Sequence, residues 1–341
     1  MKIVIAPDSF KECLPASRVA AILADEFRAA RPLCEVVECP LSDGGEGFAD
    51  IVTSALGGRL EEVSVTGPQG TPVKARFGIA GKTGILEAAS ACGLSLVPPA
   101  ARNPMTATSR GVGELMMAAF GLGCRELLIG LGGTATCDGG EGLLSVPGIR
   151  ALAGRVSVRV LCDVANPFLG PSGAARVFAP QKGADAAMVE ILEKQMIARA
   201  RRIAAETGVD VSDMPGAGAA GGLAGALAAC FGAIPEPGID AVLECVGFRA
   251  KVSGADWIVT GEGRSDRQTL SGKVPQGVLK NRDKARVALL SGCISDREAL
   301  LSAGFDYITA ISPEGLSLGE ALRPDVAERN LRLAVRRFPD Q

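Results

Sequence analysis

The chain has 341 residues, a net charge of −2, 4% aromatic residues and no histidine. So small a charge and so few aromatics argue against nucleic acid or an anionic membrane as the main partner. The missing histidine excludes Ser-His-Asp and Cys-His catalysis and His-ligated zinc, so acid–base chemistry falls to Asp, Glu, Lys, Cys or the single Tyr307. The length suggests two domains. The ten cysteines form no Cys-x-x-Cys pair and read as reduced thiols. Met1-Lys2-Ile3-Val4-Ile5 lacks a signal-peptide pattern, and a cytoplasmic location is expected.

Lys2–Ala6 reads as a strand ending in Pro7-Asp8-Ser9-Phe10-Lys11, and Ser17 can cap the helix that follows. Val36-Val37 open a second strand, which delivers Asp43-Gly44-Gly45-Glu46-Gly47, so a βαβ unit is expected. From Glu61 alternating segments and turn signals at Gly67–Gly70 and Gly81-Lys82 indicate antiparallel hairpins and a different domain. A helix from Arg110 to about Phe120 leads into Leu127-Leu128-Ile129, a buried strand followed by the loop Gly132-Gly133-Thr134-Ala135-Thr136-Cys137-Asp138. Asp138–Gly142 repeats the Asp-Gly-Gly-Glu-Gly pentapeptide. Two copies after apolar runs suggest a shared polyanion or metal site; tight turns with Asp caps are the plainer reading. Val156–Leu161 is a strand leading to Asp163 and Asn166-Pro167, and Asp185–Glu206 an amphipathic helix. Its expected face holds Met188, Ile191, Leu192, Gln195, Met196 and Ile203. The uncharged stretch Gly216–Ile234 reads as a buried helix, not a membrane span. Strands at Trp257–Thr260, Val287–Leu290 and Tyr307–Thr309 restore the strand–helix alternation.

Because the two ends of the chain look alike, the fold expected is α/β with two α/β domains. A discontinuous Rossmann-like parallel-sheet domain, 1–60 plus 250–341, carries an inserted mixed α/β domain, 61–249. Gly216-x-Gly218-x-x-Gly221 matches the dinucleotide fingerprint, but Val209–Pro215 makes a poor first strand; contact with phosphate at a helix start ranks first, ahead of packing. Gly261–Lys273 fails the P-loop spacing and leaves Glu262, Arg264, Asp266 and Lys273 for an anionic substrate and its metal. Strand ends sharing one crevice would gather Asp8, Asp43 and Asp163 near Lys11. Such a set can hold Mg²⁺, neutralise a triphosphate and deprotonate a hydroxyl without histidine. Arg264 is the first candidate for a substrate carboxylate, with Arg102 and Arg110 behind it.

Taken together, these segments resemble the type I glycerate kinase family over nearly the whole length. The matching blocks include Ile5–Lys11, Asp43–Gly47, Asn103-Pro104 with Thr108-Ser109, and Gly132–Thr136 with Asp138–Gly140. Cys162–Val164 with Asn166-Pro167, Pro180–Ala184, Pro215–Gly222 and Thr260–Arg264 complete them. The resemblance implies phosphorylation of D-glycerate, with the 2-phospho product favoured over the 3-phospho one. It further implies ATP as co-substrate, Mg²⁺ as cofactor and an active site in a cleft between the domains. On that basis Asp163, Lys11 and Asp43 are the catalytic candidates, and Arg264, Asp8, Ser9 and Asn166 bind substrate. Gly132, Gly133, Thr134, Thr136, Gly216, Gly218 and Gly221 line phosphates, and Asp43, Asp138 and Glu46 take the metal. A homodimer is left open.

The chain departs from the family pattern at Glu12, Ser42, Cys137 and Arg110, where Gly, Ala, Asn and an aromatic are usual. Between Gly142 and Val156 it is shorter by about thirty residues, the size of a hairpin or long loop. Two rival functions remain at this stage: a nicotinamide-dependent hydroxy-acid dehydrogenase, and a non-catalytic sensor of a carboxylate metabolite.

Overall fold

Ile3, Val4 and Ile5 are fully buried, as expected of an apolar β-branched strand covered on both faces. The computed structural model describes residues 1–233 and 235–339. In chain order its strands are β1 Lys2–Ile5, β2 Glu35–Glu38, β3 Arg59–Thr66, β4 Pro72–Ala80, β5 Thr83–Glu87 and β6 Glu126–Gly130. They continue with β7 Ser157–Leu161, β8 Pro235–Glu236, β9 Trp257–Thr260, β10 Arg264–Ser265, β11 Arg286–Ser291, β12 Cys293–Ile294 and β13 Tyr307–Ala310. The architecture is mixed α/β, in two units: Met1–Asp43 with Ile239–Gln341, and Gly44–Gly238.

The first unit holds a parallel sheet in the order β13-β11-β9-β1-β2, with β10 and β12 paired beside it. Sequence order reverses between β1 and β9, so the loops that leave those strands mark the topological switch point, where open α/β sheets bind ligands. Helix Ala16–Ala30 crosses from β1 to β2 and buries Val19, Ile22, Leu23 and Phe27. Pro15, with no side-chain bond, stands at its N-cap, so Ser17 lies inside the helix instead of capping it. Helix Pro324–Arg336 packs on it, and Phe338 meets Phe27, Trp257 and Tyr307 edge to face.

In the second unit the sheet runs β3-β4-β5-β6-β7-β8, antiparallel through β5 and parallel from there on. The unit boundaries fall at Asp43 and Gly238, where the sequence suggested 60 and 249. Helix Phe48–Ala55 is the reason at the first: it packs on β4 and β5, and Glu87 at the end of β5 accepts the Ala49 N–H at 2.7 Å. At the second, Ile239 packs against Gly277 of the first unit. Asp185 caps the helix Ala186–Thr207 by accepting the Met188 N–H. That helix buries Leu192, Glu193, Met196, Ala200 and Ile203, whereas Ile191 is exposed. The alanine-rich segment Ala219–Phe231 is helical apart from a kink at Ala220, Gly221 and Gly222, which take left-handed conformations; Ile234 lies outside the described residues. Among the described residues no helix is long and apolar enough to cross a membrane. A single 3₁₀ turn, Ile149–Leu152, links helix Glu141–Leu144 to β7, and Val146, Ile149, Leu152 and Val156 are all buried along it. The short link is therefore a packed part of the core.

Candidate active site

In the first unit, backbone bonds tie the strand ends together: Asp8 N–H donates to the Gly261 carbonyl, Leu41 N–H to Pro7 and Gly292 N–H to Glu262. This draws the loops after β1, β2, β9 and β11 into one place. Asp8 and Ser9 are each 5% exposed there. Burial pushes the Asp8 carboxyl up to about 8, helped by Asp43 and Glu262, while the Ser9 N–H bond at 2.6 Å and Lys11 work against the shift. Asp8, Asp43, Glu262 and Lys11 therefore form one electrostatic group at the switch point. Glu262 is held by the hydroxyls of Ser265 at 3.0 Å and Thr269 at 2.6 Å, and pairs with Lys273 at 3.5 Å. Ser265 in turn shares a 2.6 Å hydrogen bond with Ser291. Arg264 is exposed and lies 3.7 Å from Asp266, itself the cap of the 3₁₀ turn Arg267–Leu270.

In the second unit, Asp138 is only 8% exposed and accepts from four donors: the Ser109 N–H and hydroxyl, the Gly140 N–H and the Gly142 N–H. Oδ2 takes three of these bonds and Oδ1 one, so the carboxylate shapes the loop. Thr136 donates to the Ala107 carbonyl and accepts the Asp138 N–H, so it too braces the loop. Lys182, 3% exposed, donates to the Thr136 carbonyl at 2.6 Å and the Thr134 hydroxyl at 3.3 Å. Burial drives its pKa down, against the pull of Cys137, Cys92 and Asp138. Gly132 abuts Gly45, so the first Asp-Gly-Gly-Glu-Gly loop packs on the end of β6, and Gly133 takes a left-handed turn. Glu46 is exposed beside Glu87, whose carboxyl is pushed up to about 7 by burial, then by Asp50 and Glu46.

Asp163, exposed after β7, accepts the Gly238 N–H at 2.9 Å, and the Asn166 amide donates to the Ser172 carbonyl. The glycine-rich stretch proves to be a packing device. A Cβ at Gly218 would collide with the Pro167 carbonyl, and one at Gly221 with the Thr136 carbonyl. The N–H groups of Gly218, Ala219 and Gly222 go to Asn166, Gly216 and Gly218. Of the three motif glycines, Gly218 has its N–H bonded within the chain, and with no strand over Val209–Pro215 the dehydrogenase reading loses its βαβ context. Among the described residues no group of three or more Cys, Asp or Glu side chains is arranged to hold a metal ion.

The profile of the Glycerate kinase family matches residues 3–156 and 147–339, nearly the whole chain. The chain belongs to the glycerate kinase family. It is 40% identical to a Glycerate kinase of Bacillus subtilis (strain 168) over 354 residues, covering 94% of this chain and 93% of that protein. Against a Glycerate 2-kinase of Escherichia coli (strain K12) it is 38% identical over 356 residues, covering 95% and 93%. A crystal structure of a candidate glycerate kinase 2 from Salmonella typhimurium LT2 superposes with a TM-score of 0.85 at 37% identity, over 99% of this chain and 96% of that one. The fold and the kinase class are those of this family.

The family profile breaks at 147–156, within the short link before β7. The Bacillus alignment has 354 positions but spans 94% of 341 residues, about 321, so about thirty positions face gaps in this glycerate kinase family member. Its departures have visible surroundings. Glu12 sits at φ +61°, the left-handed region glycine favours. The buried Ser42 hydroxyl has no partner, as expected where alanine is usual. Cys137 packs with Phe168 and Met196, and Arg110 pairs with Glu114 at 2.9 Å. In the sequence Lys182 stands out only within the block Pro180–Ala184, and Glu87 does not stand out at all. A lysine or glutamate beside glycines and turns carries no mark of burial.

Proposed function

We propose that this chain transfers the γ-phosphoryl group of ATP to the 2-hydroxyl of D-glycerate, with Mg²⁺ as cofactor. The observation that carries the reading is 38% identity over 95% of the chain to a protein named Glycerate 2-kinase. The acidic group of the first unit supports it. Asp8 and Asp43 supply the hard oxygen donors that Mg²⁺ prefers; burial first and Asp43 second raise the Asp8 carboxyl, and a divalent cation would offset both. These two residues would hold the ion, which when bound screens charge on the phosphate oxygens.

The remaining roles belong to the chain itself. Lys11 offsets negative charge on the transferred group. Ser9, with its N–H committed to Asp8, can offer its hydroxyl to substrate. Asp163 accepts the proton of the attacking hydroxyl, while Arg264 and Asn166 orient the acceptor. Thr134 and the Gly132-Gly133 turn lie on the phosphate side. Catalysis is then positioning and electrostatics, with one proton acceptor. ADP release from Mg-ATP, followed with and without D-glycerate, tests the reading. Glycerate-dependent release is expected, and equal release in both conditions would overturn it.

A further inference from the structure

One small cavity in the second unit is lined by two cations and no acid. Arg102 and Lys182 face it together with Gln69, Asn103 and Thr106, and it holds about 10 Å³, room for one water-sized group. Lys182 is buried without a carboxylate partner among the described residues. Its two bonds go to the Thr136 carbonyl and the Thr134 hydroxyl, leaving one of the three ammonium donors unassigned. The Arg102 Nε is buried and makes no hydrogen bond among the described residues. Gly183, next to Lys182, packs closely on the Arg102 backbone, and both cations line the cavity.

A buried ammonium with no carboxylate bonded to it is costly, and Lys182 beside a half-buried arginine whose Nε is sealed off makes a void suited to an anion that arrives from outside. The other candidate arginines are placed differently: Arg110 is engaged by Glu114 and Ser145, and Arg264 is largely solvated. We infer that Arg102 and Lys182 form an oxyanion pocket, which receives one oxygen of a carboxylate or phosphoryl group. Within the proposed glycerate kinase reaction, on which the choice of ligands rests, the oxyanion is the glycerate carboxylate or a phosphate of the nucleotide. Burial lowers the Lys182 pKa even against the pull of Cys137, Cys92 and Asp138, as for an ammonium held out of water.

Direct binding tests this without turnover. D-glycerate, ATP and inorganic phosphate are each titrated calorimetrically into the wild type, Arg102→Met and Arg102→Lys, with thermal unfolding as the folding control. Arg102→Met is expected to weaken one ligand class by about tenfold or more, the worth of one charge-assisted hydrogen bond, with Arg102→Lys in between. Loss confined to D-glycerate assigns the pocket to the carboxylate; loss confined to ATP and phosphate assigns it to a phosphoryl group. Lys182→Met, which keeps the volume, should weaken the same class. Unchanged affinity for all three ligands in folded Arg102→Met, or a wild type that binds none of them, would overturn the inference. If the wild type failed to phosphorylate glycerate yet lost phosphate affinity on Arg102→Met, the proposed function would fall and the pocket would stand.

Discussion

Asp8 is a carboxyl group whose surroundings oppose its charge. Its folded-state pKa of about 8 lies above the ordinary 3.8, so between those values the folded protein keeps a proton that the unfolded chain has released. The folded state then binds more protons, and stability present at low pH is lost as pH rises towards 8. In metal-free buffer the melting temperature is expected to fall across that window, and Asp8→Asn to flatten the fall. Equal slopes in the two proteins would contradict the burial argument. Ser42 and Glu12 make a second residue-scale case. Ser42→Ala removes a buried hydroxyl without a partner and should raise stability by about 1 kcal/mol in denaturant titration. Glu12→Gly relieves a left-handed backbone and should add about 1 kcal/mol. A destabilised variant in either case would show that the side chain makes a contact worth more than the strain.

At the scale of elements, the loop Gly132–Gly142 is held by Asp138 through four hydrogen bonds. Asp138→Ala leaves those donors unmatched and is expected to cost about 3 kcal/mol, equally with and without Mg²⁺ in thermal unfolding. A loss seen only with Mg²⁺ present would assign it the metal role. The same loop shows where sequence reading works. β1, β6, β9 and β11 are nearly continuous apolar runs bounded by glycine or proline, and that pattern alone locates them. Helix Pro324–Arg336 is as periodic, burying Val326, Ala327, Asn330, Leu331, Ala334 and Val335, but its three arginines, Asp325 and Glu328 hide the stripe. The fate of a polar side chain was harder to read. Asp138 and Asp43 share a pentapeptide, yet tertiary contacts alone decide that Asp138 is held by local donors while Asp43 raises the pKa of a neighbour. The glycines at 216, 218 and 221 fit a binding motif letter for letter, and only the carbonyls facing Gly218 and Gly221 show that close packing demands glycine there.

For the whole molecule, the family match settles fold and class, and the alternation of parallel strands at both ends of the chain was enough to anticipate a discontinuous unit. Its borders were not legible, because helix Phe48–Ala55 follows the first acidic loop directly and its allegiance depends on β4 and β5. The shortened link before β7 is packed, with four buried apolar residues, so truncation here is expected to leave a stable enzyme. Asp163→Asn should lower turnover by about 100-fold or more with an unchanged melting temperature, as removal of a proton acceptor does. Near-normal turnover would move that role to another carboxylate. The central claim concerns which bond is made. Proton-coupled ³¹P NMR of the product formed from Mg-ATP and D-glycerate reads it directly. A doublet, from phosphate on the carbon bearing one hydrogen, is the result expected of 2-phosphorylation; a triplet, from the terminal carbon, or no new phosphate ester at all, would contradict the account.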